Sequence, residues 1–162
     1  MATSDAPVTI VTGSSRGIGS AIARALAADG HRLVLEARNE QRLDEVAAAL
    51  QQDGAEVATY AADLREADAA AAVIQATERH FGAPDVVVNN AGTAPSDKVE
   101  STTAAKLAEA FDLHVSAPLA FARGCAGAMK QRGRGCLLQL ASTAGLRGYP
   151  YTSAYTLSLI HI

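Results

Sequence analysis

The chain has 162 residues, of which 49% are hydrophobic and 19% are charged, and its formal net charge at pH 7 is −3. This length and this hydrophobic content fit one globular domain and exclude a disordered tail. The slightly acidic balance provides no electrostatic attraction to nucleic acids or anionic membranes, so we expect neither as a partner.

The cysteines and the N-terminus limit the cellular setting. Cys125 and Cys136 lie outside any CxxC or CxxH pairing, which argues against a disulfide framework or a metal site and favours a reducing, cytoplasmic environment. Residues 1–7 lack the basic start and apolar core of a signal peptide. No run of the chain reaches the ~20 apolar residues of a membrane span.

Strand patterns and helix patterns alternate along the chain. Apolar and β-branched runs predict strands at 8–11, 32–35, 56–60, 85–88 and 136–140. Helical spacing predicts helices at 20–28, 40–51, 67–80 and 103–130, the last bent near Pro118. This alternation predicts an α/β fold of the Rossmann type, a doubly wound parallel sheet of about five strands with helices on both faces.

A glycine-rich loop separates the first strand from the first helix. Residues 12–19 read Thr-Gly-Ser-Ser-Arg-Gly-Ile-Gly, with the glycines spaced G-x-x-x-G-x-G. Because they lack Cβ atoms, Gly13, Gly17 and Gly19 let the backbone turn tightly and approach a pyrophosphate, whose charge meets the amides at the helix start. The alternative is an ordinary βα turn. The loop residues predicted to bind the cofactor also include Ser15, Arg16 and Ile18.

The end of the second strand distinguishes the two nicotinamide dinucleotides. Ala37 occupies the expected position of an acidic residue that would bind a ribose 2′-hydroxyl, and Arg38 follows it. Arg38 and Arg16 are expected to converge on a 2′-phosphate, so we predict NADP(H), with NAD(H) as the second choice. The alternation of side chains along the strand is expected to point Glu36 away from the cofactor. If the predicted strand register is wrong by one residue, Glu36 would instead be a ribose ligand. A solvated strand end is the alternative for Arg38.

Three motifs in this order resemble the short-chain dehydrogenase/reductase family: the loop 12–19, the segment Asn89-Asn90-Ala91-Gly92, and Ser142 with Tyr155. The resemblance spans residues 8 to about 156 and is greatest for the compact branch of 3-oxoacyl-carrier-protein reductases. It implies that Asp63 contacts adenine and that the cofactor cleft is lined by Asn90, Ala91 and Gly92. A helix N-cap is the alternative for Asp63, and a turn is the alternative for the asparagines.

The resemblance also implies the chemistry, hydride transfer between nicotinamide and a carbonyl carbon. Tyr155 would be the general acid in reduction, and Ser142 would polarise the carbonyl. The alternative for Tyr155 is a tyrosine that serves only in packing, and the alternative for Ser142 is a polar residue at a strand end. His114 stands where the family usually has an asparagine, and we assign it a substituted proton-relay role, with a locally hydrogen-bonded helix histidine as the alternative.

The end of the chain departs from the family pattern. Leu159 stands where the lysine of a Tyr-x-x-x-Lys motif belongs, and a leucine cannot lower the pKa of a tyrosine. Residues 157–162 match the translation of a sequencing-library adapter, so we expect an artefactual tail after an incomplete cofactor domain at 1–156. We therefore exclude His161 from the catalytic candidates. A polypeptide ending there would be inactive and would leave strand 136–140 as an apolar sheet edge.

The parent protein is accordingly predicted to be an NADP-dependent oxidoreductase that interconverts a ketone and a secondary alcohol, with a 3-oxoacyl thioester as one candidate substrate. The resemblance implies a homodimer or a homotetramer. A noncatalytic dinucleotide-binding protein that lost its lysine is the alternative. A serine hydrolase using Ser142 and His114 is a third interpretation, which the missing G-x-S-x-G motif disfavours.

Overall fold

The structure, a computed structural model, describes residues 6–160. The expectations for the first five residues and for His161 therefore lie outside the described residues. Within them, five parallel strands form one sheet in the order β3-β2-β1-β4-β5. The strands are β1 (Val8–Thr12), β2 (Arg32–Ala37), β3 (Val57–Ala61), β4 (Val86–Asn89) and β5 (Cys136–Gln139).

Helices connect the strands, which confirms the predicted Rossmann-type α/β fold. They are α1 (Gly17–Ala28), α2 (Glu40–Gln52), α3 (Ala69–Phe81), α4 (Ala104–Phe111), α5 (Ala117–Arg132) and α6 (Ser153–Leu159). Short 3₁₀ turns lie at Val99–Ser101 and Thr143–Gly145, and a π-helical turn at Asp112–Ser116 joins α4 to α5. None of the helices between residues 6 and 160 has the length and apolar character needed to cross a membrane.

Two hydrophobic cores lie on opposite faces of the sheet because successive strand side chains alternate in direction. Val11 and Leu35 point to the face covered by α1 and α2, where they meet Leu43 of α2. Ile10 points to the other face, where it packs with Phe121 of α5 and residues of α3. Burial on both faces explains why the strands are almost continuously apolar in sequence.

The first helix begins three residues earlier than the sequence pattern predicts. The Ser20 amide already donates to the Arg16 carbonyl oxygen, at 3.4 Å, so the helix starts at Gly17 inside the glycine loop. Low glycine propensity hides this start from a pattern search. The glycine loop is thus the first turn of α1 as well as the end of β1.

The helical stretch after residue 103 is interrupted, as the bend expected near Pro118 suggested. Pro118 has no amide hydrogen to donate to the carbonyl of His114, four residues earlier, and its ring would crowd that carbonyl in a regular α-helix. The backbone widens into the π turn Asp112–Ser116 immediately before this proline. The position of His114 in the fold therefore follows from the proline.

The strand β5 lies at one edge of the sheet and pairs only with β4 among the described strands. Its apolar side chains Leu137 and Leu138 are exposed. The sequence prediction of an apolar edge strand at this position is confirmed for the described residues. Its neighbour β4 is mostly buried, because Val87 packs into the core that contains Phe121 and Val88 packs into the core that contains Leu43.

Candidate active site

A cavity of about 870 Å³ opens at the carboxyl ends of the central strands. Open parallel sheets bind ligands at this edge, outside the point where the strand order reverses. Here that point lies between β1 and β4. Every residue that the sequence predicted for cofactor binding lines the cavity: Gly13, Ser15, Arg16, Gly17, Ile18, Gly19, Arg38, Asp63, Asn90, Ala91 and Gly92.

The glycines of the loop serve different purposes. Gly13 and Gly17 have φ angles of +64° and +57°, a left-handed conformation that side chains disfavour. A Cβ on Gly19 would lie 2.4 Å from the Gly13 carbonyl oxygen and 2.5 Å from Asn90 Nδ2. A Cβ on Gly17 would meet nothing within 4 Å. Close packing therefore requires Gly19, whereas backbone conformation favours glycine at position 17.

Hydrogen bonds tie the end of β1 to the end of β4. Thr12 Oγ1 accepts from the amides of Asn90 and Ala91, both at 2.9 Å, and donates to the Val88 carbonyl oxygen at 3.3 Å. Asn90 Nδ2 donates to the Thr12 carbonyl oxygen at 2.8 Å and to that of Gly13 at 3.2 Å. The Asn90 side chain thus stabilises the glycine loop, a role that a residue serving only to form a turn would not have.

Glu36 lies beneath the glycine loop at the border of the cavity, and the expectation that strand alternation turns its carboxyl away from the cofactor stays a prediction. The residue is among those that line the cavity, is 2% exposed, and accepts from the Gly13 amide through Oε2 at 3.2 Å. The Glu36 carbonyl oxygen also accepts from the amide and the hydroxyl of Ser14. Burial raises the pKa of Glu36 to about 8, against a smaller opposing effect of the Gly13 amide.

A chain of charged side chains crosses the cavity mouth from the β3–α3 connection to α4. Arg65 Nε donates to Asp63 Oδ1 at 2.9 Å, and Arg65 Nη1 donates to Glu109 Oε2 at 3.2 Å. Hydrogen bonding to the Arg65 guanidinium lowers the pKa of Asp63 to about 2. Asp63 Oδ1 also accepts from the Arg65 amide at 3.1 Å. This carboxylate therefore stabilises a local turn, while α3 begins after Asp68.

His114 lies on the π turn and is buried. Its Nε2 atom accepts from the Thr93 amide at 3.1 Å, and because an amide only donates, Nε2 must be unprotonated. The proton therefore resides on Nδ1, which lies 2.8 Å from Ser158 Oγ. The His114 ring meets Tyr155 edge-on, with 5.5 Å between ring centroids. Burial lowers the pKa of His114, which favours the neutral ring.

The two predicted catalytic hydroxyls lie on elements that pack together. Ser142 precedes the 3₁₀ turn Thr143–Gly145 and accepts from the Ala144 amide through Oγ at 3.2 Å. Tyr155 lies on α6, whose residue Leu159 contacts Gly145 closely. Neither hydroxyl is among the groups lining the cavity, whereas His114 and Tyr155 are brought into contact.

A second phenol, which the sequence analysis did not single out, lies in the loop after β5. The Tyr149 hydroxyl donates to Thr143 Oγ1 at 3.1 Å and accepts from Arg147 Nε at 3.1 Å. The Arg147 guanidinium also stacks 5.0 Å from the centre of the Tyr149 ring. These hydrogen bonds lower the pKa of Tyr149.

The cavity fits an extended dinucleotide. Its volume lies within the range of about 300 to 1,000 Å³ that is usual for ligand pockets. The open space beside Gly17 leaves the amides at the start of α1 accessible to an anion. The exposed guanidiniums of Arg16 and Arg38 line the same cavity and supply positive charge for phosphates.

Comparison with known proteins agrees with this geometry. The family model for short chain dehydrogenases matches residues 7–158. The ketoacyl reductase HetN of a Nostoc species is 29% identical over 158 residues, which cover 98% of this chain and 55% of that protein. L-sorbose reductase from Gluconobacter frateurii, solved with NADPH and L-sorbose, superposes with a TM-score of 0.92 at 33% identity, over 96% of this chain and 60% of that one.

A metagenomic short-chain oxidoreductase solved with NADP superposes with a TM-score of 0.89 at 36% identity, over 94% of this chain and 70% of that one. The chain spans about 55% to 61% of the length of the first curated relatives that it matches. The match of the family model covers nearly all of the described residues. The chain therefore belongs to the short-chain dehydrogenase family.

Proposed function

We propose that this chain is the cofactor-binding part, residues 1–156, of an NADP(H)-dependent oxidoreductase that interconverts a ketone and a secondary alcohol. One observation carries the proposal. The glycine loop, the Asn90–Gly92 segment and Arg38, which are far apart in sequence, line a single cavity at the carboxyl edge of the sheet. Family membership supports the same reaction class.

Each part of the cavity has a proposed role in holding the dinucleotide. The amides of residues 17–19 bind the diphosphate, because the start of a helix attracts anions. Arg16 and Arg38 bind the 2′-phosphate, and Asp63 approaches the adenine. Solved relatives of this fold carry NADPH or NADP, which supports NADP(H) over NAD(H). The bound nicotinamide would donate or accept a hydride.

The hydroxyls of the second half of the chain handle the proton and the carbonyl oxygen. In reduction, Tyr155 donates a proton to the carbonyl oxygen while Ser142 donates a hydrogen bond that polarises the carbonyl. For this the Ser142 hydroxyl, which accepts from the Ala144 amide, and the Tyr155 hydroxyl must both lie beside the carbonyl oxygen of the bound substrate. The packing of α6 against the 3₁₀ turn after Ser142 supports a shared site.

His114 is proposed as the proton-relay residue in place of the family's asparagine. Its ring contacts Tyr155, and its Nδ1 proton is the one available for transfer, because Nε2 accepts from the Thr93 amide. Relay through Nδ1 requires water to replace Ser158 Oγ as its partner. The buried ring also fixes the orientation of Tyr155 by edge contact.

The substrate class is proposed to be a ketone or the corresponding secondary alcohol, and a 3-oxoacyl thioester is one candidate. The relatives named as a ketoacyl reductase and as L-sorbose reductase support a carbonyl substrate. We further propose that the whole protein is a cytoplasmic homodimer or homotetramer. The free thiols Cys125 and Cys136 and the exposed Leu119 on α5 support this setting and this assembly.

Binding and turnover measurements on the full-length protein test the proposal. Fluorescence titration should detect NADPH binding, and Arg38→Ala should weaken NADPH binding by about 10- to 100-fold, a loss of roughly 1.4 to 2.8 kcal/mol, with little effect on NADH. Tyr155→Phe should keep NADPH binding and abolish NADPH-dependent ketone reduction. Absence of binding by either dinucleotide would refute the proposed function.

A further inference from the structure

The Glu36 carboxyl occupies an unusual position for a charged group. It is almost completely buried, yet it lines the cavity and accepts a hydrogen bond from the first glycine of the loop, Gly13. The backbone carbonyl of Glu36 fixes the next loop residue, Ser14, through its amide and its hydroxyl. One residue of β2 thus supports two consecutive residues of the loop that is proposed to hold the diphosphate.

Charged and titratable groups surround this carboxyl on each side. On its own strand's end, Arg38 favours the ionised form, whereas Asp63, in the connection after β3, disfavours it. Tyr60 of β3 and Thr12 of β1 are its register partners in the sheet. Arg16 of the glycine loop and Arg65 beside Asp63 line the same cavity. The Arg65 guanidinium is already engaged by Asp63 and Glu109.

The protonation state of Glu36 is set mainly by its burial. Removal from water penalises the carboxylate and raises the pKa of Glu36 to about 8, whereas the Gly13 amide and Arg38 offset only part of this effect. The carboxyl is therefore mostly neutral at pH 7. In that form it still accepts the Gly13 hydrogen bond through one oxygen and can donate through the other.

We propose that Glu36 is a proton-dependent determinant of cofactor choice, whose neutral form permits the 2′-phosphate of NADP(H) and whose ionised form shifts preference toward NAD(H). The inference rests on the proposed function, because it assumes that the cavity holds a dinucleotide. It differs from that function in assigning specificity to a buried residue as well as to the exposed Arg38.

Electrostatics give the direction of the effect. A buried carboxylate at the border of the cavity, close enough to interact with the charge of Arg38, repels a phosphate dianion bound there, and the low dielectric of its surroundings strengthens the repulsion. A ribose 2′-hydroxyl carries no charge, so the same carboxylate does not repel it. The phosphate itself has its second pKa at about 6, so its charge is constant above pH 7.

Dissociation constants for NADPH and NADH, measured by fluorescence titration of the full-length protein from pH 7 to pH 9.5 at constant ionic strength, test this inference. We expect the preference for NADPH over NADH to fall by about fivefold to tenfold across this range. In Glu36→Gln, which keeps a neutral acceptor for the Gly13 amide, the preference should stay constant and equal that of the wild type at pH 7.

Glu40→Gln is the matched control, since this carboxylate is exposed at the start of α2, two positions beyond Arg38, and is not among the residues that line the cavity. Its preference should fall with pH as the wild-type preference does. Thermal melting of each variant without cofactor confirms that it is folded. If Glu36→Gln does not fold, the wild-type series alone still decides between a falling and a constant preference.

The possible outcomes separate the two proposals. Binding of both dinucleotides with a preference that does not change with pH overturns the inference and leaves the proposed function standing. A wild-type decline that persists unchanged in Glu36→Gln overturns it as well. Absence of binding by either dinucleotide at every pH refutes the proposed function and removes the site on which the inference depends.

Discussion

The Thr12 hydroxyl accepts hydrogen bonds from the backbone amides of Asn90 and Ala91, and the Asn90 side chain donates back to the Thr12 carbonyl oxygen. Thr12 and Asn90 are 78 positions apart in sequence. Thr12 is the last residue of β1 and Asn90 directly follows β4, at the point where the order of the sheet reverses. This reciprocal contact holds the two sides of the cavity together.

Replacing Thr12 with valine should destabilise the protein, because it leaves two partly buried amides without their acceptor while keeping the shape of the side chain. An unsatisfied buried amide costs about 1 to 3 kcal/mol, so we expect a loss of roughly 2 to 4 kcal/mol in the free energy of unfolding. Urea denaturation measures it. Thr12→Ser keeps the hydroxyl and should lose less than about 1.5 kcal/mol; equal losses would contradict the role of the hydroxyl.

Alanine substitutions at two loop glycines should have different effects. Gly19→Ala places a Cβ against the Gly13 carbonyl oxygen and should displace the loop, reducing NADPH affinity by more than about 100-fold. Gly17→Ala meets no atom within 4 Å and costs roughly 1 kcal/mol through its positive φ angle. Urea denaturation and NADPH titration of both variants measure this difference. A larger loss of stability in Gly17→Ala than in Gly19→Ala would show that the close contact is not decisive.

The buried Glu36 should make stability depend on pH. Its pKa in the folded chain, about 8, lies above the ordinary value of 4.5, so its stabilising contribution is complete below pH 4.5 and is lost as the pH rises through 8. Glu36→Gln cannot ionise, so its stability relative to the wild type should increase by a few kcal/mol between pH 5 and pH 9. Urea denaturation at both pH values checks this, with Glu40→Gln expected to show no such increase.

The Asp63–Arg65 pair predicts the opposite sign. The lowered pKa of Asp63, about 2, means that its contribution to stability is present above pH 3.8 and is lost as the pH falls through 2. The pair is partly exposed, so Asp63→Asn should cost less than about 1 kcal/mol at pH 7 and clearly less at pH 2, where about half of the carboxyl is protonated. Denaturation at the two pH values measures this difference. A cost that is equal at both would indicate that the amide disrupts the local turn instead.

The repeating strand–turn–helix pattern predicts most of the fold, since it depends on local residue periodicity and on the chain turning at glycines. The same pattern does not predict the residues at which the elements end. β2 extends to Ala37 because it pairs with both β1 and β3, and that pairing is not visible in its own residues. The short helix α6 and the 3₁₀ turns depend on tertiary packing rather than on propensity.

The candidate site divides in the same way. The roles of Gly13 and Asn90 could be predicted from the sequence, because the tight turn and the contacts that hold the loop restrict which residue types fit there. The role of Arg65 could not be predicted, because it depends on contacts with Asp63 and with Glu109, which lies on a different element 44 positions away. The hydrogen bond from the Gly13 amide to Glu36 could not be predicted, because strand alternation fixes the face of the sheet but not where the glycine loop crosses over it.

The π turn Asp112–Ser116 adds part of an extra residue to one helical turn, and in a regular α-helix each residue advances the azimuth by about 100°. It therefore acts as a phase shift between α4 and α5. Ala110 lines the cavity while Phe121 lies in the hydrophobic core, although in a regular α-helix these two residues, eleven positions apart, would point in nearly the same direction. Mutations that restore a regular pitch would rotate one of these surfaces out of alignment, so cavity and core tolerate different residue spacings in this stretch.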